Sequence, residues 1–124
     1  MKKNKKKIIN IYLVGGLGNQ LFQFALGKSL ESQNNIEVRF DSTLGFLRDY
    51  KYKRKFRLHK ILKYSFLKVK LIDQLIFLIN IIFNKLFKVN YQNLLIENHN
   101  LNNNNIKKII NQNNKNLWIK GYWQ

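Results

Sequence analysis

Ile8-Ile9-Asn10-Ile11-Tyr12-Leu13-Val14, followed by Gly15-Gly16-Leu17-Gly18-Asn19-Gln20-Leu21-Phe22-Gln23, is the stretch that decides the fold. Its first seven residues are β-branched, aromatic or aliphatic apart from Asn10, and they stop at paired glycines, a pattern that predicts a buried strand. From Leu17 to about Ser32, apolar residues return at helical spacing. Leu17, Leu21 and Ala25 recur together with the pair Phe22 and Leu26, and Leu30 lies beyond; Gln20, Gln23 and Lys28 are expected elsewhere on the helix surface. Gln33-Asn34-Asn35 breaks the helix. Ile36-Glu37-Val38-Arg39-Phe40 then alternates as a second strand that ends at Asp41-Ser42-Thr43. Two strands joined by a helix of this length are expected to be parallel, with a right-handed crossover. The fold class read from this unit is α/β.

Beyond it, Arg48 to Lys70 is basic and aromatic. Leu71 to Val89 is a strongly apolar helix, long enough to raise a membrane span. Asp73, Gln74, Asn80, Asn84 and Lys85 interrupt it, and each is costly in hydrocarbon. A buried or partner-facing helix and an interfacial amphipathic helix are the readings that accommodate them. Asn90 to Asn116 is Asn-rich, with Asn102-Asn103-Asn104-Asn105 read as a loop and Ile106 to Asn111 as a short helix. Asn116-Leu117-Trp118-Ile119-Lys120-Gly121-Tyr122-Trp123-Gln124 reads as a third strand. A chain ending on such an aromatic strand tip is expected to be a piece of a larger fold.

The 124 residues amount to about one small domain, and 45% hydrophobic residues supply a core. A formal net charge of +17 would attract nucleic acid, anionic lipid or phosphorylated ligands. Nineteen of the 23 basic residues are Lys, and Asn and Ile are also abundant, a composition that AT-rich codons produce by themselves. Bidentate base readers lean on Arg, and only Arg39, Arg48, Arg54 and Arg57 are present. There is no Cys, which excludes disulfides and thiolate metal sites and suits a reducing compartment. His59 and His99 are isolated, so no metal site is expected. The basic head Met1 to Lys7 and the short run after it lack a small-residue cleavage site; they read as a cytoplasmic N-terminus leading into a strand.

A helix that starts after a glycine-rich turn exposes unpaired N–H groups at the positive end of its dipole, where diphosphates bind readily. Gly15 and Gly16 can take backbone angles closed to other residues, and Gly18 lets a ligand or chain segment approach. Asn19 and Gln20 would add amides suited to sugar hydroxyls. The five are the candidate substrate-binding residues. This is not the dinucleotide fingerprint, because Leu21 stands where Gly or Ala is required. Asp41 ends the second strand, where Rossmann domains place a ribose-binding acid; the competing reading is a cap or turn residue.

Gly15 to Ala25, Gly-Gly-Leu-Gly-Asn-Gln-Leu-Phe-Gln-Phe-Ala, resembles without gaps the N-terminal signature of the α-1,2-fucosyltransferases of glycosyltransferase family 11. Phe40-Asp41 followed by Arg54-Lys55-Phe56-Arg57-Leu58 is similar to that family's strand Asp and its Arg-x-Phe-x-Leu segment. Gly121-Tyr122-Trp123-Gln124 resembles its Gly-Tyr-Trp-Gln stretch. The resemblance spans Ile8 to Gln124, with Lys60 to Asn116 poorly matched and read as a variable helical insertion at about 60–116. It implies a Rossmann-like N-terminal domain of a GT-B-type enzyme. Such an enzyme moves fucose from GDP-fucose to a galactoside hydroxyl, with inversion, during synthesis of lipopolysaccharide or other surface glycans. It would work on the cytoplasmic side, peripheral to the inner membrane face, and needs no further cofactor. The family's His-x-Arg-Arg-x-Asp motif does not occur in these residues. The expectation is therefore an N-terminal fragment, residues 1–124, without its donor-binding domain and inactive alone. Inversion needs a general base. Asp41 and Asp49 are the acidic candidates, and spacing selects neither.

Two other classes compete. Tyr50, Tyr52, Phe56 and Tyr64, interleaved with Lys and Arg, could stack bases in a nucleic-acid-binding module, although a basic surface in a Lys-rich chain accounts for the same residues. Phe66 to Val89 could lie on anionic membrane.

Overall fold

The computed structural model describes residues 6–33, 35–63, 65–87, 94–96, 108, 110 and 117–121. Strand β1 (Lys7–Tyr12) leads through helix α1 (Leu17–Glu31) to β2 (Ile36–Asp41). Two short helices follow, α2 (Leu44–Leu47) and α3 (Leu58–Ile61), and then the long helix α4 (Leu71–Phe87). Strands β3 (Leu94–Ile96) and β4 (Leu117–Lys120) complete the order. The strands form one parallel sheet ordered β2-β1-β4-β3. Ile9 lies opposite Val38 on one side and Leu117 on the other, and Tyr12 lies between Asp41 and Lys120. The chain is thus α/β with a parallel sheet, as the opening strand–helix–strand unit predicts.

Alternation along each strand gives the sheet two distinct faces. Ile9, Ile11, Leu13, Val38, Phe40, Leu117 and Ile119 point to one face, where Phe24 and Leu30 of α1 and also Leu58 and Ile110 join them in an apolar core. Tyr12 and Trp118 point to the other, with Leu44, Val69 and Phe77 of α4. There the Phe77 ring stacks on Trp118 at 4.1 Å between centroids and tilts against Tyr12 at 5.7 Å. The topology explains why the helices divide in this way. β1 to β2 steps one way across the sheet, whereas the connection through α4 runs the other way. Crossovers of one hand in opposite directions must cover opposite faces.

Helix α1 sits on the sheet by a different side from the expected one. Leu21 and Phe22 are 36% and 52% exposed, whereas Gln20 and Gln23 are 1% and 0% exposed. The buried line is Gln20, Gln23, Phe24, Gly27 and Leu30. Gly27 sets this rotation: a Cβ there would come within 2.4 Å of the Phe40 ring and 2.8 Å of Ile11, so the helix lies flat only where the side chain is missing. The glutamines are buried because backbone groups of neighbouring loops need their amides.

Strand β3 lies within the Asn-rich stretch, where no strand is expected from sequence; it pairs with β4 at the sheet edge through Leu94↔Trp118 and Ile96↔Lys120. The expected third strand is β4, shortened to Leu117–Lys120; Asn116 and Tyr122 to Gln124 lie outside the described residues. Lys108 and Ile110 are helical, in accord with the short helix expected there, and the Asn102–Asn105 run lies outside the described residues. Among the described residues, no helix is long and apolar enough to cross a membrane.

Helix α4 turns Gln74 and Phe77 fully inward, with Leu78 and Ile81 partly buried. Asp73 in its first turn pairs with Arg39 at 3.3 Å, and Arg39 also pairs with Glu37 at 2.7 Å. Leu71, Leu75, Ile79, Ile82 and Leu86 line its outer surface, flanked by Ile72, Ile76, Phe83 and Phe87, all exposed.

Candidate functional site

Ligands of open parallel sheets sit beyond the carboxyl ends of the strands, at the point where the connections diverge. In this sheet the point is β1/β4, since the chain leaves β1 toward β2 and later returns to the opposite side. A cleft of about 730 Å³ occupies this place, lined by Tyr12, Val14 and Gly15 after β1 and by Lys120 and Gly121 at the end of β4. The loop after α2 closes its rim with Arg48 to Tyr52 and Arg54, and Gly45 forms part of the wall. Gly45 is required there, since a Cβ would fall 2.1 Å from the Leu13 carbonyl oxygen.

The lining combines four cations, Arg48, Lys51, Arg54 and Lys120, with the phenol rings of Tyr12, Tyr50 and Tyr52 and the single carboxylate of Asp49. The Lys120 ammonium lies 5.3 Å above the Tyr12 ring and the Arg54 guanidinium 4.2 Å from the Tyr52 ring, both within cation–π range. Burial lowers the Lys120 pKa from its usual value, and the Arg48 charge lowers it further. Burial raises the Tyr12 pKa; the Arg48 guanidinium beside the phenol opposes the rise, and Asp41 adds to it. Both shifts come first from burial, and the Arg48 charge is felt by each group.

Asp49 shapes the rim. Its carboxylate accepts hydrogen bonds from the Tyr52 and Arg54 amides at 3.1 and 3.3 Å, and its carbonyl accepts one from Lys53 N at 2.9 Å. Lys53 takes a positive φ of 48°, which folds the loop tightly enough to present Tyr50 and Tyr52.

The residues singled out from sequence are placed as follows. Gly15 lines the cleft and has φ 83°, the left-handed backbone expected of it. Gly16 has φ −70° and ψ 176°, ordinary extended backbone that does not use a glycine's extra freedom. It is the N-cap of α1 and supplies no side-chain cap. Around Gly16 and Gly18 a Cβ would meet nothing within 4 Å, leaving the first turn of α1 open. Asn19 is half-buried in that turn.

Gln20 does not point at a ligand. Its Nε2 donates to the Gly15 and Lys55 carbonyls, both at 3.0 Å, and its Oε1 accepts from Arg57 N at 2.9 Å. Both ends of the amide are thus engaged with the backbone of neighbouring loops, in place of the sugar hydroxyls expected from sequence. Gln23, not singled out from sequence, accepts from Val14 N at 3.0 Å and donates to the Gly121 carbonyl at 2.7 Å.

Asp41 is 0% exposed, and its Oδ1 accepts from Thr43 N, Thr43 Oγ1, Leu44 N and Gln74 Nε2 at 2.8–3.3 Å. Of its two readings, the turn residue that opens α2 matches the bonding of Oδ1; Oδ2 is buried without a hydrogen-bond partner. Of the two acidic candidates, Asp49 is the one at the cleft.

Of the aromatic residues that could stack bases, Phe56 packs against Phe46, Phe66 and His59, and the Tyr52 ring lies beside Arg54 and Lys51. Tyr64 lies outside the described residues. That leaves Tyr50, 82% exposed, which is too few for a stacking platform. Among the described residues, no group of three or more His, Asp or Glu side chains could hold a metal ion.

The residues that sequence reading missed are Tyr12, Arg48 and Lys120. Each belongs to a strand end or loop whose meeting depends on the strand order, which local patterns do not encode. In comparisons with known proteins, no family model, no curated protein and no solved structure matches the chain.

Proposed function

We propose that the chain is the Rossmann-like N-terminal part of a GT-B-type α-1,2-fucosyltransferase, and that the β1/β4 cleft is its wall of the substrate site. One observation carries this reading. The segments that resemble the family are far apart in sequence, and two glutamines of the first segment tie them together. Gln20 bonds to Lys55 and Arg57 of the Arg-x-Phe-x-Leu segment, and Gln23 bonds to Gly121 of the Gly-Tyr-Trp-Gln segment. Asp41 of the strand segment accepts Leu13 N at its carbonyl, 3.1 Å away, just ahead of the glycine turn. A chance likeness of scattered residues has no reason to converge around one cleft.

In this reading the cleft holds the galactoside acceptor, with Tyr50 offering a face for a sugar ring. Arg48, Lys120 and the open first turn of α1 face the diphosphate of GDP-fucose. Positive side chains stabilise the departing GDP in place of a metal. Asp49 is the carboxylate nearest the acceptor and the candidate for its proton. The 124 residues contain no His-x-Arg-Arg-x-Asp, so binding is the property to measure.

Saturation-transfer NMR with lactose and with GDP-fucose at millimolar concentration tests the reading. Lactose should receive saturation through its galactose protons, and Arg48→Ala and Tyr50→Ala should weaken the effect. If neither lactose nor GDP-fucose exceeds a glucose control, the reading fails.

A further inference from the structure

The outer surface of α4 is the largest feature that the cleft does not use. Nine Leu, Ile and Phe side chains between Leu71 and Phe87 are each 48–78% exposed. At about 100° per residue they fill an arc of about 160° that contains no polar side chain. Every polar residue of the helix (Asp73, Gln74, Asn80, Asn84 and Lys85) falls outside this arc. The exposed apolar area is on the order of 1,000 Å², above the few hundred typical of the largest patch on a monomer. Phe83 and Phe87 stack within it at 5.4 Å, forming a bulky end.

Charge decides what covers it. A second copy would bring +17 against +17, and self-repulsion of that size opposes a close apolar contact. An anionic lipid surface meets the same charge with attraction. The lysines near the helix reinforce the choice: Lys60, Lys63, Lys68 and Lys70 precede it, Lys85 stands in its last turn, and all five are exposed. Asp73, the one acid of α4, is paired with Arg39 and does not oppose the surface. Seventeen helical residues are about 25 Å long, which suits a helix lying in the headgroup plane.

We propose that the outer face of α4 is a peripheral membrane-binding surface, inserted at the acyl boundary of a bilayer rich in anionic lipid, with the flanking lysines at the phosphate level. The inference stands independently of the fucosyltransferase reading. It rests on apolar exposure combined with positive charge, the two terms that together produce stable interfacial binding.

Flotation of the full chain tests it, with phosphatidylcholine vesicles containing about a third phosphatidylserine set against phosphatidylcholine alone. The chain should float with the anionic vesicles. The triple variant Leu75→Gln, Ile79→Gln, Phe83→Gln should lose binding roughly a hundredfold, since several exposed methylenes are removed from the boundary. The double variant Lys68→Glu, Lys70→Glu leaves the helix untouched and should lose the preference for phosphatidylserine by roughly tenfold or more. Failure of the chain to float with either vesicle overturns the proposal, as does equal flotation of the triple variant. An unchanged lipid preference in the lysine variant overturns its electrostatic half. A concentration-dependent dimer that the triple variant abolishes, without flotation, would instead assign the face to a second copy.

Discussion

Replacing Gln20 by Ala separates a backbone staple from a sugar ligand. The substitution removes three hydrogen bonds, to the Gly15 carbonyl, the Lys55 carbonyl and the Arg57 amide. The last two are only partly buried, so water can replace the lost partner, and each contributes about 1 kcal/mol. The bond to Gly15 is buried, and an orphaned carbonyl there costs about 1–3 kcal/mol. The expected loss is therefore about 3–5 kcal/mol, which for a domain of 124 residues lowers Tm by on the order of 10–20 °C. Gln20→Glu preserves shape but faces two carbonyl oxygens with a carboxylate, so its neutral form is favoured in the fold. Its folded pKa is raised, and stability falls as pH climbs above the ordinary carboxylate range. Thermal and urea unfolding followed by far-UV circular dichroism at pH 4 and pH 7 measures both effects. If Gln20→Ala melts within a degree or two of the parent while lactose saturation transfer disappears, the staple argument is refuted and Gln20 is a ligand residue.

The glycines give opposite expectations. Gly45→Ala forces a Cβ onto the Leu13 carbonyl and should destabilise by several kcal/mol, a loss of the size typical of overpacking or more. Gly18→Ala meets open space within a helix and should raise Tm by a few degrees, as Ala outranks Gly by up to about 1 kcal/mol; a fall in Tm would contradict the open first turn. Lys120 should titrate below the exposed lysines when followed by NMR of reductively methylated protein, and Arg48→Ala should move it upward. With its folded pKa depressed, Lys120 has already lost its proton in the fold while the unfolded chain keeps one, so its contribution to stability rises with pH between the folded value and about 10.4. Tyr12, raised, acts oppositely above pH 10.

The β1–α1–β2 unit was legible in the sequence because strand and helix periods, glycine stops and the Gln33–Asn35 break all agree locally. The rotation of α1 was not. A periodicity count treats glutamine as surface, whereas Gln20 and Gln23 are buried to satisfy loop carbonyls and amides that come from positions 55, 57 and 121. A cue lay in Gly27, whose missing side chain marks the line of closest approach to the sheet. Strand β3 was masked by the surrounding asparagines, and three residues carry too little alternation to register. The candidate site was half legible. The glycine turn announced a ligand-facing junction, but the cations that meet it, Arg48 and Lys120, arrive through the β2-β1-β4-β3 order, a property of long-range pairing. Asp41 shows the converse: strand-end position suggests a ribose ligand, while four hydrogen bonds at Oδ1 show a side chain that opens a turn.

Helix α4 reverses the usual arrangement of a surface helix, which buries its apolar stripe and exposes its polar one. Its polar arc lies on or beside the sheet, and its widest apolar arc faces out. The sheet makes the inner half of this tolerable. Arg39 reaches the face that α4 covers and takes Asp73, while Asp41 Oδ1 and Thr43 take Gln74, so these two polar side chains of α4 are paired, although Asp41 Oδ2 has no partner of its own. Nothing comparable satisfies the outer half, and folding itself gains little from it, since side chains half exposed in the native chain recover only part of their transfer energy. A residue set that contributes little to folding yet is uniformly Leu, Ile and Phe along the 17 residues of α4 is best explained by a second apolar phase.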